Sequence, residues 1–284
     1  IDTALKAQKQ WAEMDWQDRA SIFLRAAEIL AGPQRSLLNA ASMLCQSKNV
    51  FQAEVDAACE LIDFLRFNAF YANTIYEQQP PISPTGIWNR LEYRPLEGFI
   101  FAATPFNFTS IAGNLPSAPA IMGNVALWKP ASNATYSAYY VMKLFQEAGV
   151  PDGVINFIPG TGSKIGPTIM NSPDLASVHF TGSTATFQNM WQTVGSNIKN
   201  YKSYPRIVGE TGGKNFVFVH KDSVIVELGT ALIRGAFEYQ GQKCSAASRA
   251  YVPRSLWTDL MDYILEEIKT VKMGDVENFS NFMN

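Results

Sequence analysis

The sequence predicts an α/β protein built on a doubly wound parallel sheet, preceded by helices and followed by the start of a second α/β unit. Three observations carry this. Between Gly98 and Gly209, five short apolar runs recur: FIFAA at 99–103, VALW at 125–128, VINFI at 154–158, VHFT at 178–181 and RIVG at 206–209. Helix-length segments such as ASNATYSAYYVMKLFQEAG separate them, and that alternation builds parallel βαβ units. The 284 residues are 47% hydrophobic and 17% charged, enough for two cores.

The elements follow in chain order. Residues 1–82 read as helices. Ile22, Ala26, Ile29 and Leu30 share one face, Leu61, Phe64, Leu65 and Asn68 share another, and QQPPISPT ends the pattern. Residues 83–97 alternate Leu91 and Tyr93 against Arg90, Glu92 and Arg94, which predicts a β-ribbon arm. Such a ribbon is marginal alone, so a neighbouring domain or subunit is expected to cover it. Residues 98–211 form the sheet. Residues 212–284 begin a second unit: a helix over IVELGTALIRGAFEYQ, striped by Leu228, Ala231, Leu232, Gly235, Ala236 and Tyr239 and stopped at Gly241, then a strand at RAYV and another helix.

Composition excludes some functions. A net charge of −2 leaves no footprint for nucleic acid, and no apolar run reaches the ~18 residues of a membrane span. The first residues lack both an initiator methionine and the apolar stretch of a signal peptide, so the natural start is expected to lie upstream. Three cysteines, an odd number, suit a reducing compartment. Cys45 and Cys59 lie in apolar-periodic segments and are expected in the core, whereas Cys244 stands among glycine and small polar residues. No metal site is expected.

In a doubly wound sheet, ligands bind at the carboxyl ends of the strands. There the sequence carries Asn107 in TPFNFTS, Lys129 in KPASNAT, a Gly-Ser pair in GSTAT and Glu210 in GETGGKN. Singly, each has an ordinary role as turn residue, solvated lysine, helix cap or surface carboxylate. Four at successive strand tips point to a site. GTGSKIG at 160–166 has the spacing G-x-G-x-x-x-G, follows the third strand, and reads as a loop ahead of a helix rather than a dinucleotide fingerprint. Cys244 falls in the loop between helix and strand. A helix C-terminus disfavours a thiolate, so the thiol needs backbone N–H groups, Lys243 or a base. Neither His179 nor His220 has neighbours suggesting a Cys–His pair, and Glu210 is the remaining candidate.

These pieces together resemble the aldehyde dehydrogenase superfamily. VGETGGKN resembles its glutamate motif and GQKCS its cysteine motif, 34 residues apart; PFNF, KPAS and FTGS resemble its asparagine, cofactor-lysine and phosphate-loop motifs in order. TPFNFTSIAGNLPSAPAIMGN and FEYQGQKCSAASRAYVP are most similar to its mitochondrial delta-1-pyrroline-5-carboxylate dehydrogenase branch. The resemblance implies an NAD-binding domain over 1–211, with its arm at 83–97, and a catalytic domain cut short at 284. It implies oxidation of an aldehyde, glutamate semialdehyde, during proline breakdown in the mitochondrial matrix by a homodimer or larger homo-oligomer.

It also implies roles. Cys244 is the nucleophile, Asn107 and the Cys244 N–H hold the oxyanion, and Glu210 activates water. Thr104, Lys129, Ser132, Gly182, Ser183, Thr184, Ala185 and Thr186 bind NAD, and Ser245 meets the substrate carboxylate. Ser132 stands where many NAD-preferring relatives carry Glu, so that contact does not fix NAD over NADP. A related semialdehyde dehydrogenase and a non-catalytic dehydrogenase-like protein are the alternatives; joint presence of Cys244, Glu210 and Asn107 argues against the second. The implied family continues well past Asn284. A piece ending there is expected to be inactive alone, with RAYV as an unpaired edge.

Overall fold

A computed structural model describes residues 1–284. The helical layer comprises α1 (Asp2–Glu13), α2 (Trp16–Ala31), α3 (Arg35–Gln46), the short α4 (Val50–Ala53), a π turn at Glu54–Cys59 and α5 (Glu60–Tyr76). Ala20, Phe23, Ala27 and Leu30 on α2, and Leu61, Leu65, Ala69 and Ala72 on α5, are buried at helical spacing. Ile22, Ile29 and Phe64 are half-buried. Asn49 and Gln52 form a reciprocal capping box at the start of α4.

Next come β1 (Phe99–Ala103), α6 (Thr109–Ile121), β2 (Val125–Lys129), α7 (Thr135–Ala148), β3 (Ile155–Phe157), α8 (Gly162–Met170), β4 (Leu175–Thr181), α9 (Thr184–Ser196) and β5 (Arg206–Glu210). The strands pair in parallel in the order β3-β2-β1-β4-β5, a doubly wound sheet that coincides with the five apolar runs. β1 is buried along its whole length, as a central parallel strand should be, while β5 at the edge is mostly exposed. Gly98 enters β1 at φ 117°, with room for no side chain: a Cβ would lie 2.1 Å from the Asp174 carbonyl. The sheet and helical layer share one core that includes Phe23, Phe101, Trp128 and Phe145. Trp11 Nε1 and Arg19 Nε tie the first helices to it, donating to the carbonyls of Ala120 and Ile121 at the end of α6.

The second unit holds β6 (Phe216–Phe218), α10 (Ile225–Phe237), β7 (Arg249–Tyr251) and α11 (Arg254–Ile268) around a small cluster of Val219, Leu228 and Leu260. No helix is long and apolar enough to cross a membrane.

Several expectations are corrected. RAYV is paired on one side: β7 pairs in parallel with β6, a three-residue strand too short to register in the sequence pattern, while in this two-stranded sheet its other edge stays open and exposed. The 83–97 segment makes no strand within this chain. Its backbone bonds instead to Gln79 and Ser83, because no second strand lies alongside, and Ile87, Trp88 and Leu91 stay exposed. On α10 the buried residues are Leu228, Gly229 and Ile233, with Ala231 and Gly235 exposed. That helix stops at Phe237, ahead of Gly241, where Tyr239 and Gln240 turn left-handed at φ 52° and 53°. Cys45 and Cys59 are half-buried, as Cys244 is.

Candidate active site

Two cavities open at the carboxyl ends of the strands and share Phe180 and Thr181 at the tip of β4. The larger, about 740 Å³, lies where the strand order reverses between β1 and β4, the switch point at which doubly wound sheets bind ligands. It brings together Thr104, Lys129, Ser132, Gly182, Ser183 and Thr186. The Thr104 hydroxyl accepts from Trp128 Nε1 at 3.1 Å, which fixes the β1 tip. Lys129 Nζ donates to the Pro130 carbonyl at 2.8 Å, and burial lowers its pKa. Ser132 Oγ donates to the Gly160 carbonyl at 3.3 Å.

Ser183 caps α9: its Oγ accepts from the Thr186 N–H, and the first helical bond runs from the Phe187 N–H to the Ser183 carbonyl. The Thr184 and Ala185 side chains do not line the cleft, but their N–H groups are left free at the positive end of the helix. Gly162, Ser163 and Gly166 do line it. GTGSKIG is only in part the expected loop: Gly160 and Thr161 lead in, residues 162–166 are already the first turns of α8, and the segment forms a wall of the site. Its glycines were the available signal, and spacing alone was too strict a filter.

The second cavity, about 480 Å³, brings Glu210, Cys244 and Ser245 together with His179, Glu60 and Phe108. Glu210 ends β5, in register with Thr181 of β4, so sheet pairing delivers the carboxylate. The cysteine loop is fastened to the glutamate motif. Asn215 Nδ2 donates to the Cys244 carbonyl, the Ser248 N–H donates to the Asn215 carbonyl at 3.1 Å, and the Ala247 N–H donates to that of Gly235 at 2.8 Å. Gly213 passes so close that a Cβ would lie 1.8 Å from the Cys244 carbonyl oxygen. The Cys244 thiol is pushed up to about 11, by burial first and then by the nearby Glu210 carboxylate, against the backbone N–H groups of Cys244 and Ser245. The thiol therefore rests protonated, in a cavity that also holds a carboxylate.

Asn107 lies outside the cavity lining but is tied to the same loop: its Nδ2 donates to the Gln242 carbonyl at 2.9 Å. A primary amide has a second N–H, which this bond leaves free. His179, which sequence reasoning set aside, borders the cavity without serving the thiol. Its Nδ1 faces the Leu115 carbonyl at 2.9 Å, and burial lowers its pKa, so the ring is neutral. Glu60 was missed. It opens α5, where Ser110 Oγ donates to it, and burial raises its pKa against that hydrogen bond. A carboxylate on the apolar face of CELIDFL was the sequence signal.

The arrangement sets a thiol, a carboxylate and amide donors beside a larger cleft that holds a helix N-terminus. Residues 1–283 match the aldehyde dehydrogenase family. The chain is 54% identical over 281 residues to the delta-1-pyrroline-5-carboxylate dehydrogenase of Agaricus bisporus, covering 99% of this chain and 51% of that protein. It is 48% identical over 285 residues to the human mitochondrial delta-1-pyrroline-5-carboxylate dehydrogenase, covering 100% and 50%. The crystal structure of the Mycobacterium tuberculosis Delta-pyrroline-5-carboxylate dehydrogenase bound with NAD superposes with a TM-score of 0.97 at 54% identity, over 100% of this chain and 53% of that one. The chain thus spans about half the length of the relatives it matches. With the match running from the first helix to the penultimate residue, the chain belongs to the aldehyde dehydrogenase family.

Proposed function

We propose that the complete protein carrying this chain oxidises L-glutamate γ-semialdehyde to L-glutamate with NAD. One observation carries the reading: Cys244 and Glu210 meet in a cavity that shares the Phe180–Thr181 wall with the larger cleft. The residues of that cleft suit a dinucleotide. The free N–H groups of Thr184 and Ala185 and the hydroxyl of Ser183 match a pyrophosphate, while Lys129 and Ser132 match a ribose. Gly162 leaves the space beside the Lys129 stem open, since a Cβ there would sit 3.8 Å from Cε.

Glu210, which lines the same cavity, takes the thiol proton as Sγ attacks the aldehyde carbon. The resulting oxyanion takes the free N–H of Asn107 and the backbone N–H of Cys244, each such donor being worth about 3–4 kcal/mol. NAD held by the larger cleft would supply the hydride acceptor, and loss of hydride from the reacting carbon leaves a thioester on Cys244. Glu210 passes its first proton to solvent and takes another from water, whose hydroxide attacks the thioester and expels the Cys244 thiolate; Glu210 returns that proton to the sulfur as the acid leaves. Ser245, beside Cys244 in the cavity, suits the distal carboxylate of the substrate. The substrate choice rests on the names of the relatives. The exposed Ile87, Trp88 and Leu91 of the arm support an oligomer that covers them.

Glu210→Gln tests the base in both tasks. The burst of NADH should slow by about 10²-fold at neutral pH, because glutamine cannot take the thiol proton, and should recover as alkali ionises the thiol directly. Steady turnover should stay slow at every pH, since thioester hydrolysis still lacks its base. Rapid-quench kinetics separates the phases; a normal burst at neutral pH would confine Glu210 to the hydrolytic step.

A further inference from the structure

A buried charge cluster outside the reacting groups lies under the cysteine loop. Asp56, on the π turn, is 4% exposed; its Oδ2 lies 2.8 Å from Lys48 Nζ and 3.1 Å from Lys243 Nζ. Lys48 is fully buried, with its ammonium 4.2 Å from the Phe108 ring centroid and 4.5 Å from that of Tyr239. Lys243 immediately precedes Cys244, also reaches Glu238 at 3.5 Å, and stands 5.7 Å from the Phe108 centroid. Phe108 follows Asn107, and Tyr239 is the first left-handed residue after α10. One carboxylate therefore joins the helical layer to both loops of the site.

We infer that Asp56 is a positioning residue, whose shared bridge to Lys48 and Lys243 holds the Cys244 loop against the loop carrying Asn107. The inference rests on Cys244 being the nucleophile, as proposed above. Two features favour positioning over plain stabilisation. Apolar side chains of similar volume generally hold a core as well as a buried ion pair does. They would not fix the direction of Lys243, and with it the backbone of the next residue. The extra residue of the π turn also shifts the helical register at Asp56, a feature frequent at functional sites.

The test uses two variants of the complete protein. Lys48→Met/Asp56→Asn removes one charge of each sign while keeping the apolar stem over Phe108. Lys243→Met leaves the Lys48–Asp56 pair balanced, so at least one variant keeps a neutral cluster if the other fails to fold. Alkylation of Cys244 by iodoacetamide at pH 8, read by peptide mass spectrometry, reports the loop. Release from Glu210 and from burial should speed it by about tenfold. Loss of a nearby positive charge alone would slow it, so the sign separates a freed loop from a changed field. kcat should fall by about 10²-fold with the KM for NAD unchanged, and Lys243→Arg should recover most of it. A folded variant whose Cys244 alkylates at the wild-type rate or slower overturns the inference. Absence of aldehyde oxidation by the wild-type protein would instead overturn the proposed function, and the alkylation rates would still decide the role of Asp56.

Discussion

Replacing Cys244 by Ala is expected to remove aldehyde oxidation from the complete protein, by about 10⁴-fold or more, while leaving it folded and able to bind NAD. The nucleophile has no substitute within reach: Cys45 bonds to the Asn133 carbonyl, and Cys59 sits against Arg35 and Glu54 on the π turn. Ser245 lines the same cavity, but an alcohol is a far weaker acid than a thiol. Stability should change by no more than about 1 kcal/mol, since Cys244 is only half-buried. The Kd for NAD should stay within about twofold, because Cys244 is not among the residues lining the larger cleft. The checks are NADH formation and calorimetric titration. Turnover within about tenfold of wild type would end the covalent mechanism.

The second large effect is expected at a residue with no side chain. In Gly213→Ala, the new Cβ would lie 1.8 Å from the Cys244 carbonyl oxygen and 2.8 Å from Asn215 Nδ2. The first contact is with backbone, so no rotamer change relieves it. The glutamate motif and the cysteine loop must separate by an ångström or more. Displacement on that scale lowers kcat by about 10²-fold. Overpacking should also destabilise the second unit by about 1–3 kcal/mol. A loss of kcat larger than the loss of folded protein, measured by active-site titration of the thiol, is the expected signature. Wild-type kcat per titrated thiol would show that the two motifs can part without consequence.

The sheet was legible because central parallel strands are buried on both faces: FIFAA and VALW appear as unbroken apolar runs. Glu210, Cys244 and the strand-tip residues were legible because glycine and small residues isolate them from any apolar pattern. What could not be read depends on partners distant in sequence. β6 is three residues long and exists through its pairing with β7, more than thirty positions later. Lys48 and Asp56 look like solvated charges on a helical stretch, and only the fold buries them against Phe108 and Tyr239. The free N–H groups of Thr184 and Ala185 belong to the backbone, so side-chain identity said nothing about which atoms bind. The arm at 83–97 shows the opposite error: alternation was present, but a strand needs a neighbour, and within this chain it has none.

The division of the site between two cavities orders events on the ribosome. The cleft that suits the dinucleotide is lined by residues 101–193, all synthesised before Cys244 emerges. At about 5–20 residues per second, the roughly fifty residues between them take a few seconds. The strands β1 to β4 that line the cleft are therefore translated well before the nucleophile. Its loop then docks onto Asp56 and Asn107, anchors laid down 188 and 137 positions earlier. A nascent chain that stalls in this interval would carry the residues of the cleft but not the thiol.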